Sequence, residues 1–164
     1  MKQATLCFLI KEGSGGKEVL LAMKKRGFGK GKWNGVGGKL DFSKGDRDII
    51  DAAIRETKEE IKIDPKEVEK VGVLNFYFPY IKGAKSWDQQ VHVFLVRNWK
   101  GEPQETEEMA PQWFQVSALP FSSMWSDDKF WLPYVLRGEK IMADFVFKPG
   151  ERVEQYKIKP VKTI

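Results

Sequence analysis

The stretch 35–63 reads GVGGKLDFSKGDRDIIDAAIRETKEEIKI and leads from clustered glycines into an acidic segment typical of a helix. At about 100° per residue, side chains at i, i+4, i+7 and i+11 lie along one stripe of a helix. Those positions are held by Ile50, Ile54, Thr57 and Ile61. We expect this stripe to pack on a core, so the stretch predicts a helix that lies against the rest of the fold.

Three carboxylates of the same segment fall on a different face, near Ala52 and Ala53: Glu56, Glu59 and Glu60. Neighbouring like charges on a helix repel by about 0.2–0.5 kcal/mol per pair, and a cation held by these oxygens would relieve that repulsion. Mg²⁺ and Mn²⁺ are hard cations that prefer such ligands. The alternative is a charged face that is only solvated.

The glycines before the helix favour the metal interpretation. Gly35, Gly37 and Gly38 allow close approach of the backbone, and backbone N–H groups can hold phosphate oxygens. A phosphate-binding loop beside metal-binding carboxylates indicates phosphoanhydride chemistry. The basic run 24–26, at the end of a predicted strand, would also suit phosphate, although a solvated edge explains it equally well.

Length and composition are those of an ordinary globular protein. With 164 residues, 41% hydrophobic and 31% charged, we expect one domain spanning 1–164. The net charge of +5 favours anionic ligands but is too scattered to indicate a nucleic-acid polymer as partner.

The cysteine count and the absence of targeting patterns bear on location. The single Cys7 excludes an internal disulfide and fits a reducing compartment. No signal-peptide pattern and no apolar run of membrane length is found. We therefore expect a cytoplasmic monomer without a membrane partner, with the nucleus or the mitochondrion as alternative locations.

Hydrophobic patterning predicts the remaining elements. Strands are expected at 4–10, 18–23, 68–79, 90–99, 111–116, 142–148 and 153–158. A second helix is expected through 131–136, capped by 126–128 and ended near Gly138. Asp64 and Pro65 form a stop signal after the first helix.

Two further features of the sequence are explained without a catalytic or binding role. His92, the only histidine, lies in an alternating strand, where a packed or hydrogen-bonded role is commoner than a catalytic one. The loop 101–109 carries Glu105, Glu107 and Glu108, which composition alone describes as solvated charge.

The stretch 35–63 resembles the Nudix box, the signature of a hydrolase family that ends in Arg-Glu-x-x-Glu-Glu followed by an apolar residue. The matching residues are Arg55, Glu56, Glu59, Glu60 and Ile63. The part between Gly38 and Arg55 is a few residues longer than the family's pattern. Arg47 stands where the family has a glutamate, between Asp46 and Asp48, and Thr57 and Lys62 also depart from the pattern. The metal-binding end of the box is intact and its beginning is altered.

Outside the box, the chain is similar to one Nudix branch, the animal MutT-homologue enzymes that degrade oxidised purine nucleoside triphosphates. The similar segments are MKKRGFGKGKWNGVGGK at 23–39, VHVF at 91–94, EEMAPQWFQ at 107–115 and PFSSMWSDDKFWLP at 120–133. The resemblance is weakest at 79–90, where the loop is longer than the family's. It implies the α+β Nudix fold, an α/β/α sandwich with a mixed central β-sheet and the box helix packed on it.

The resemblance also implies roles for individual residues. The implied catalytic residues are Arg55, Glu56, Glu59 and Glu60. The implied ligands of Mg²⁺, or of Mn²⁺, are the carbonyl of Gly37 and the side chains of Glu56, Glu59, Glu60 and Glu108. The implied nucleotide contacts are Thr5, Lys24, Asn34, Val36, Gly37, Gly38 and Lys39, with Trp125, Asp127 and Asp128 on the base and Phe28, Phe76, Phe78 and Trp131 as apolar walls.

The adjacent carboxyls of Asp127 and Asp128 suit a base-reading role on physical grounds. Two neighbouring buried carboxylates seldom both ionise, so a shared proton lets the pair donate and accept. An oxidised purine differs from normal guanine in its donors and acceptors, and such a pair could read more than one oxidised base. The alternative is that both residues only cap the following helix.

The implied function is Mg²⁺-dependent hydrolysis of a small nucleotide, an oxidised purine nucleoside triphosphate such as 8-oxo-dGTP or 2-oxo-dATP, to the monophosphate and pyrophosphate. That activity would sanitise the nucleotide pool and avoid DNA damage. Two alternatives stay open: hydrolysis of another nucleoside diphosphate linked to a different group, and a catalytically weak nucleotide sensor, for which Arg47 is the main argument. The sequence also leaves open whether Glu59 or Glu60 is the general base.

Overall fold

A mixed β-sheet forms the centre of the structure, a computed structural model that describes all residues, 1–164. Its strands are β1 (Lys2–Gly13), β2 (Gly16–Lys24), β3 (Trp33–Asn34), β4 (Asp64–Tyr77), β5 (Gln89–Lys100), β6 (Met109–Gln115), β7 (Lys140–Lys148) and β8 (Arg152–Val161). They follow the order β3-β2-β1-β5-β4-β7-β8, and β6 also pairs with β2. The β1–β5 and β4–β7 pairs are parallel, whereas β4–β5 and β7–β8 are antiparallel.

One helix covers each face of the sheet. They are α1 (Ile49–Ile61) and α2 (Asp128–Leu136), and short 3-10 helices lie at Phe42–Lys44, Gly83–Lys85, Val116–Ala118 and Phe121–Ser123. Successive side chains of β1 point to opposite faces, so Phe8 joins the core under α2, while Cys7 and Leu9 join the core under α1. The predicted α/β/α sandwich with a mixed sheet is confirmed.

The predicted strands all occur, with small differences at their ends. The largest difference is at β4, which begins at Asp64, so Asp64 and Pro65 open a strand directly after the helix. α1 ends because Lys62 adopts a left-handed conformation with φ of 63° and donates its N–H to the carbonyl of Lys58. Neither helix is long enough and apolar enough to cross a bilayer.

The prediction of which face of α1 is buried is right for Thr57 and Ile61 and wrong for Ile50 and Ile54. Its buried residues are Ala52, Ala53, Thr57, Glu60 and Ile61. Ile50 is 43% exposed, and Ile54 is only partly buried. Small alanine side chains let the helix approach the sheet closely, and this approach carries the carboxylate of Glu60 inward. Apolar periodicity therefore identified the helix and the buried side of its last turns, but not the buried side of its first turn.

The buried face can be tested with two isoleucines of the predicted stripe. Ile61 is fully buried, so Ile61→Ala should lower the free energy of unfolding by about 2–5 kcal/mol, through lost burial and a residual cavity. Ile50→Ala is the matched control and should cost less than about 1 kcal/mol, because Ile50 is largely exposed. Urea denaturation measures both, and equal losses would contradict the orientation of α1.

Candidate active site

The glycine segment enters the sheet where β1 and β2 separate. The β1–β2 register covers only Ile10–Gly13 opposite Gly16–Val19, and beyond it the two strands diverge. Residues 34–40 fill the opening and bond to β1. The bonds run from Cys7 N–H to the carbonyl of Val36 at 2.6 Å, and from Thr5 N–H to the carbonyl of Gly38 at 2.8 Å. The backbone of this segment is thus fixed as an additional strand-like edge.

Two glycines are required here by close approach. A Cβ atom at Gly37 would overlap the carbonyl oxygen of Thr5, and one at Gly38 would overlap the carboxyl group of Glu56. At Gly37 the overlap is with backbone, so a side chain there would push the segment away from β1, whereas at Gly38 the carboxyl group of Glu56 would have to move. The absence of a side chain at Gly37 therefore lets the glycine segment lie against the first strand, and Gly38 leaves room for the carboxyl of Glu56.

Arg55 joins this segment to the helix. Its Nε and Nη2 each donate to the carboxylate of Asp46 at 2.8 Å, and Nη2 also donates to the carbonyl of Lys39 at 3.1 Å. Its Nη1 donates to Glu56 at 2.9 Å and to Glu59 at 3.3 Å. One guanidinium thus holds three carboxylates and one carbonyl in fixed relation.

The sequence did not identify Asp46 as the carboxylate partner of Arg55. The family's pattern places Arg47 at the glutamate position, but Arg47 is exposed and pairs with Asp51 on the surface. Asp46 is buried, and its fork-shaped pairing with Arg55 holds the pKa of its carboxyl below its usual range. The longer loop brings an acidic partner to Arg55 from the neighbouring position. The only sequence signal was that Asp46 flanks Arg47.

Glu60 lies at the centre of the acidic group. Burial, together with the charges of Glu56 and Glu108, raises the pKa of its carboxyl to about 9. The Oε2 atom of Glu60 is buried without a hydrogen-bond partner. Glu59 differs, because its half-exposed carboxylate points to Arg55. As the side chains stand, no three acidic groups surround one point at which a cation could bind.

The residues nonetheless fit a divalent cation. An unpartnered buried carboxylate oxygen is costly, and a cation is a partner that satisfies it. Glu60 supplies that oxygen beside Glu56 and Glu108, and all of the available donors are oxygens, as hard cations require.

The glutamates of the acidic loop 101–109 are exposed, in agreement with their description as solvated charge, and the loop is tied to the end of β2 and to α1. Glu105 pairs with Lys25, and Glu107 and Glu108 pair with Arg26. The hydroxyl of Thr106 donates to the carbonyl of Glu60 at 2.8 Å, which ties this loop to the end of α1.

A cavity of about 650 Å³ opens beside the glycine segment. Of the predicted nucleotide contacts, the following line it: Thr5, Lys24, Phe28, Asn34, Gly37, Gly38, Lys39, Phe76, Phe78, Trp125, Asp127 and Asp128. Two do not. Val36 is buried in the core under α1. Trp131 is fully buried against Phe8, so its prediction as a pocket wall is wrong.

Other residues on the cavity wall were not predicted. Four of them are Lys2, Lys32, Lys85 and Trp87. The lysines make the cavity basic, which suits an anionic ligand. Trp87 lies in the segment 79–90, where the resemblance was weakest.

Asp127 and Asp128 lie at the wall of this cavity, and both are buried. Asp127 is the N-cap residue of α2, but its side chain makes no capping bond. It instead accepts a 2.7 Å hydrogen bond from the indole N–H of Trp131, so the capping alternative is wrong. Burial raises the pKa of both carboxyls, and the charge of Asp127 raises that of Asp128 further. The Oδ2 of Asp128 has no partner.

His92 takes no part in the cavity. It packs on the other face of the sheet, where its Nε2 is 2.7 Å from Oε1 of Gln3. Burial and the nearby charge of Lys70 lower the pKa of its imidazole to about 4, so the ring is neutral at pH 7. The packed interpretation of this histidine agrees with the structure.

Comparisons with known proteins agree with this geometry. Residues 1–135 match the family model described as NUDIX domain. The chain is similar to the "Oxidized purine nucleoside triphosphate hydrolase" of Danio rerio, at 39% identity over 163 residues, covering 99% of this chain and 97% of that protein. It is 40% identical over 145 residues to the Mus musculus protein of the same name, covering 88% of each chain. The solved MutT protein from Bacillus halodurans superimposes with a TM-score of 0.79 at 22% identity, over 97% of this chain and 98% of that one, a likeness of fold alone.

The ion pair beneath the glycine segment should contribute strongly to stability. Asp46→Asn leaves Arg55 without its main partner in a largely buried position, and we expect a loss of about 3 kcal/mol in the free energy of unfolding. Glu69→Gln is the control, because the Glu69–Arg97 pair is exposed and such pairs contribute about 0–1 kcal/mol. Similar losses in urea denaturation would show that Arg55 is not held as described.

The aspartate pair predicts a pH dependence of stability. Because the folded state retains a proton that the unfolded chain releases above about pH 4, the free energy of unfolding falls as the pH rises through the raised pKa values of the pair. Asp128→Asn should flatten this fall between pH 5 and pH 8. The exposed Glu154→Gln should leave it unchanged. Parallel stability curves for wild type and Asp128→Asn would contradict the shared proton.

Proposed function

Because the chain belongs to the Nudix family, we propose that it hydrolyses oxidised purine nucleoside triphosphates, such as 8-oxo-dGTP and 2-oxo-dATP, to the monophosphate and pyrophosphate. The observation that supports the proposal is a single cavity whose two ends differ in chemistry. Asp127 and Asp128 lie on its wall, and Gly37 and Gly38 line it next to the acidic helix. Curated relatives carry the name of this activity.

The base would be read by the aspartate pair. With one proton between them, Asp127 and Asp128 present both a donor and acceptors to the edge of a purine. Oxidation at the purine ring changes which edge atoms donate. The hydrogen bond from Trp131 holds one oxygen of Asp127, which leaves the outward oxygens of the pair for the base.

The triphosphate would lie along the glycine segment. Lys24 and Lys39 line this part of the cavity and would offset its negative charge. Glu56, Glu60, Glu108 and the carbonyl of Gly37 would hold Mg²⁺, which lowers the pKa of a bound water and neutralises charge that develops on the phosphates.

The chain's own residues would then position and deprotonate the attacking water. Arg55 orients Glu56 and Glu59 through its N–H groups. Of the two candidate bases, Glu60 lies with Glu56 and Glu108, whereas Glu59 is held by Arg55 at the surface. Glu60 is therefore the carboxylate closer to the proposed reaction centre.

The sensor alternative loses its main argument in the structure. It depended on Arg47 at the position of a family glutamate, yet Asp46 supplies the carboxylate that Arg55 needs. An intact Arg55 network is what a working hydrolase requires. We therefore propose an active enzyme.

Steady-state hydrolysis of 8-oxo-dGTP and dGTP with Mg²⁺, with products identified, tests the proposed function. We expect pyrophosphate and monophosphate as products, with a higher kcat/KM for the oxidised substrate. Release of orthophosphate, or equal kcat/KM for both substrates, would contradict it.

The acidic site predicts a graded effect of two isosteric substitutions. Glu60→Gln should lower kcat by about 10²-fold or more, because an amide can neither bind the cation as a carboxylate does nor remove a proton from the attacking water. Glu59→Gln should have a smaller effect, because that side chain is half exposed and bound to Arg55. Circular dichroism serves as the folding control. Near-normal turnover in both variants would refute the assignment of the metal-binding carboxylates.

A further inference from the structure

The segment 79–90 forms a fixed wall of the cavity. The backbone N–H of Phe78 donates to the carboxylate of Asp88 at 2.7 Å, and Lys2 Nζ donates to the carbonyl of Ser86 at 3.1 Å. The N–H of Asp88 also bonds to the hydroxyl of Ser86 at 3.2 Å. These bonds attach Ser86 to β1 and Asp88 to Phe78, the residue that follows β4, and Trp87 lies between the two anchored residues.

Trp87 is part of a continuous aromatic surface. Its ring contacts Phe28 edge-on at a centroid distance of 4.8 Å and Phe78 edge-on at 5.5 Å. Phe28 in turn lies 5.1 Å from Trp125, the tryptophan beside the aspartate pair. All four rings line the same cavity. The surface therefore extends from the aspartate pair to the loop 79–90.

Core packing alone does not account for this arrangement. Trp131, a structural tryptophan, is fully buried and has its indole N–H bonded. Trp87 is only partly buried, and Phe28 is 43% exposed. Exposed aromatic surface around a cavity is unfavourable in water, and a flat ligand that covers it removes that cost.

We propose that Trp87 binds the nucleobase by stacking or edge contact and acts as an affinity-determining residue for purines, an inference that rests on the proposed function. Every base has a π-face, so an aromatic wall contributes affinity without reading the edge of the base. Trp87 therefore strengthens binding of oxidised and normal purines by a common factor. Discrimination between them stays with Asp127 and Asp128. The larger purine ring covers more of the wall than a pyrimidine does.

The test compares Trp87→Ala with Trp113→Ala, a substitution of another partly buried tryptophan that lies outside the cavity and stacks on Trp99. Isothermal titration with dGMP, dCMP and pyrophosphate measures binding in Mg²⁺ buffer. In Trp87→Ala the Kd for dGMP should rise about tenfold, the Kd for dCMP should rise less, and that for pyrophosphate should not change. In Trp113→Ala none of them should change.

Kinetics with the same variants separates this role from edge reading. Trp87→Ala should raise KM for 8-oxo-dGTP and dGTP by the same factor, whereas Asp127→Asn should change the ratio of their kcat/KM values. Trp87→Phe should restore most of the affinity, and Trp87→Leu, which keeps apolar bulk without a ring system, should not. Trp87→Leu also replaces the alanine variant if the latter does not fold.

Two results would overturn the inference: equal dGMP affinity in wild type and Trp87→Leu, or a changed preference between 8-oxo-dGTP and dGTP in Trp87→Ala. Failure of the proposed function is a separate outcome. In that case wild type binds dGMP but does not hydrolyse 8-oxo-dGTP, and the binding comparison still decides the role of Trp87.

Discussion

The structure depends on a single guanidinium, that of Arg55. All of its N–H groups point to acceptors within one network: the carboxylates of Asp46, Glu56 and Glu59 and the carbonyl of Lys39. These acceptors come from the loop before α1, from α1 itself and from the end of the glycine segment. Charge-assisted bonds to a rigid fork fix both distance and direction, which a flexible lysine would not do. The position of the acidic helix against the glycine segment follows from this one side chain.

That position explains the shape of the site. Because β1 and β2 diverge and Gly37 lacks a side chain, the glycine segment can bond to β1 along the opening, and Gly38 leaves room beside it for the carboxyl of Glu56 from α1. The longer loop between Gly38 and α1 is accommodated at the surface by a short 3-10 helix, Phe42–Lys44, and returns Asp46 to Arg55. The altered beginning of the Nudix box thus changes which residue pairs with the arginine and leaves the network intact.

Buried carboxyls lie at both ends of the site, and the cost of burying their charge is reduced in a different way at each end. Burial raises the pKa of Glu60 near the proposed phosphate end and of Asp127 and Asp128 at the proposed base end. At the phosphate end the neighbours are further carboxylates on an open surface, which suits a divalent cation. At the base end the pair is enclosed beside Trp131, where a shared proton is the cheaper compensation. The lysines on the cavity wall then make the space between them attractive to an anionic nucleotide.

The sequence alone determined the elements and the chemistry. Local pattern predicted the strands, the acidic helix and the closing hairpin, and the resemblance of the Nudix box and of the segment 120–133 implied which carboxylates belong to the candidate site. The tertiary structure alone decided orientation and partnership. In the folded structure Glu60 is buried whereas Ile50 is exposed, and Asp46 is the residue that pairs with Arg55. Trp131 lies in the core and not on the cavity wall, whereas Trp87 lies on that wall. Local periodicity depends on neighbours a few residues apart, whereas burial and pairing depend on side chains that are distant in the chain and meet only after the sheet has formed.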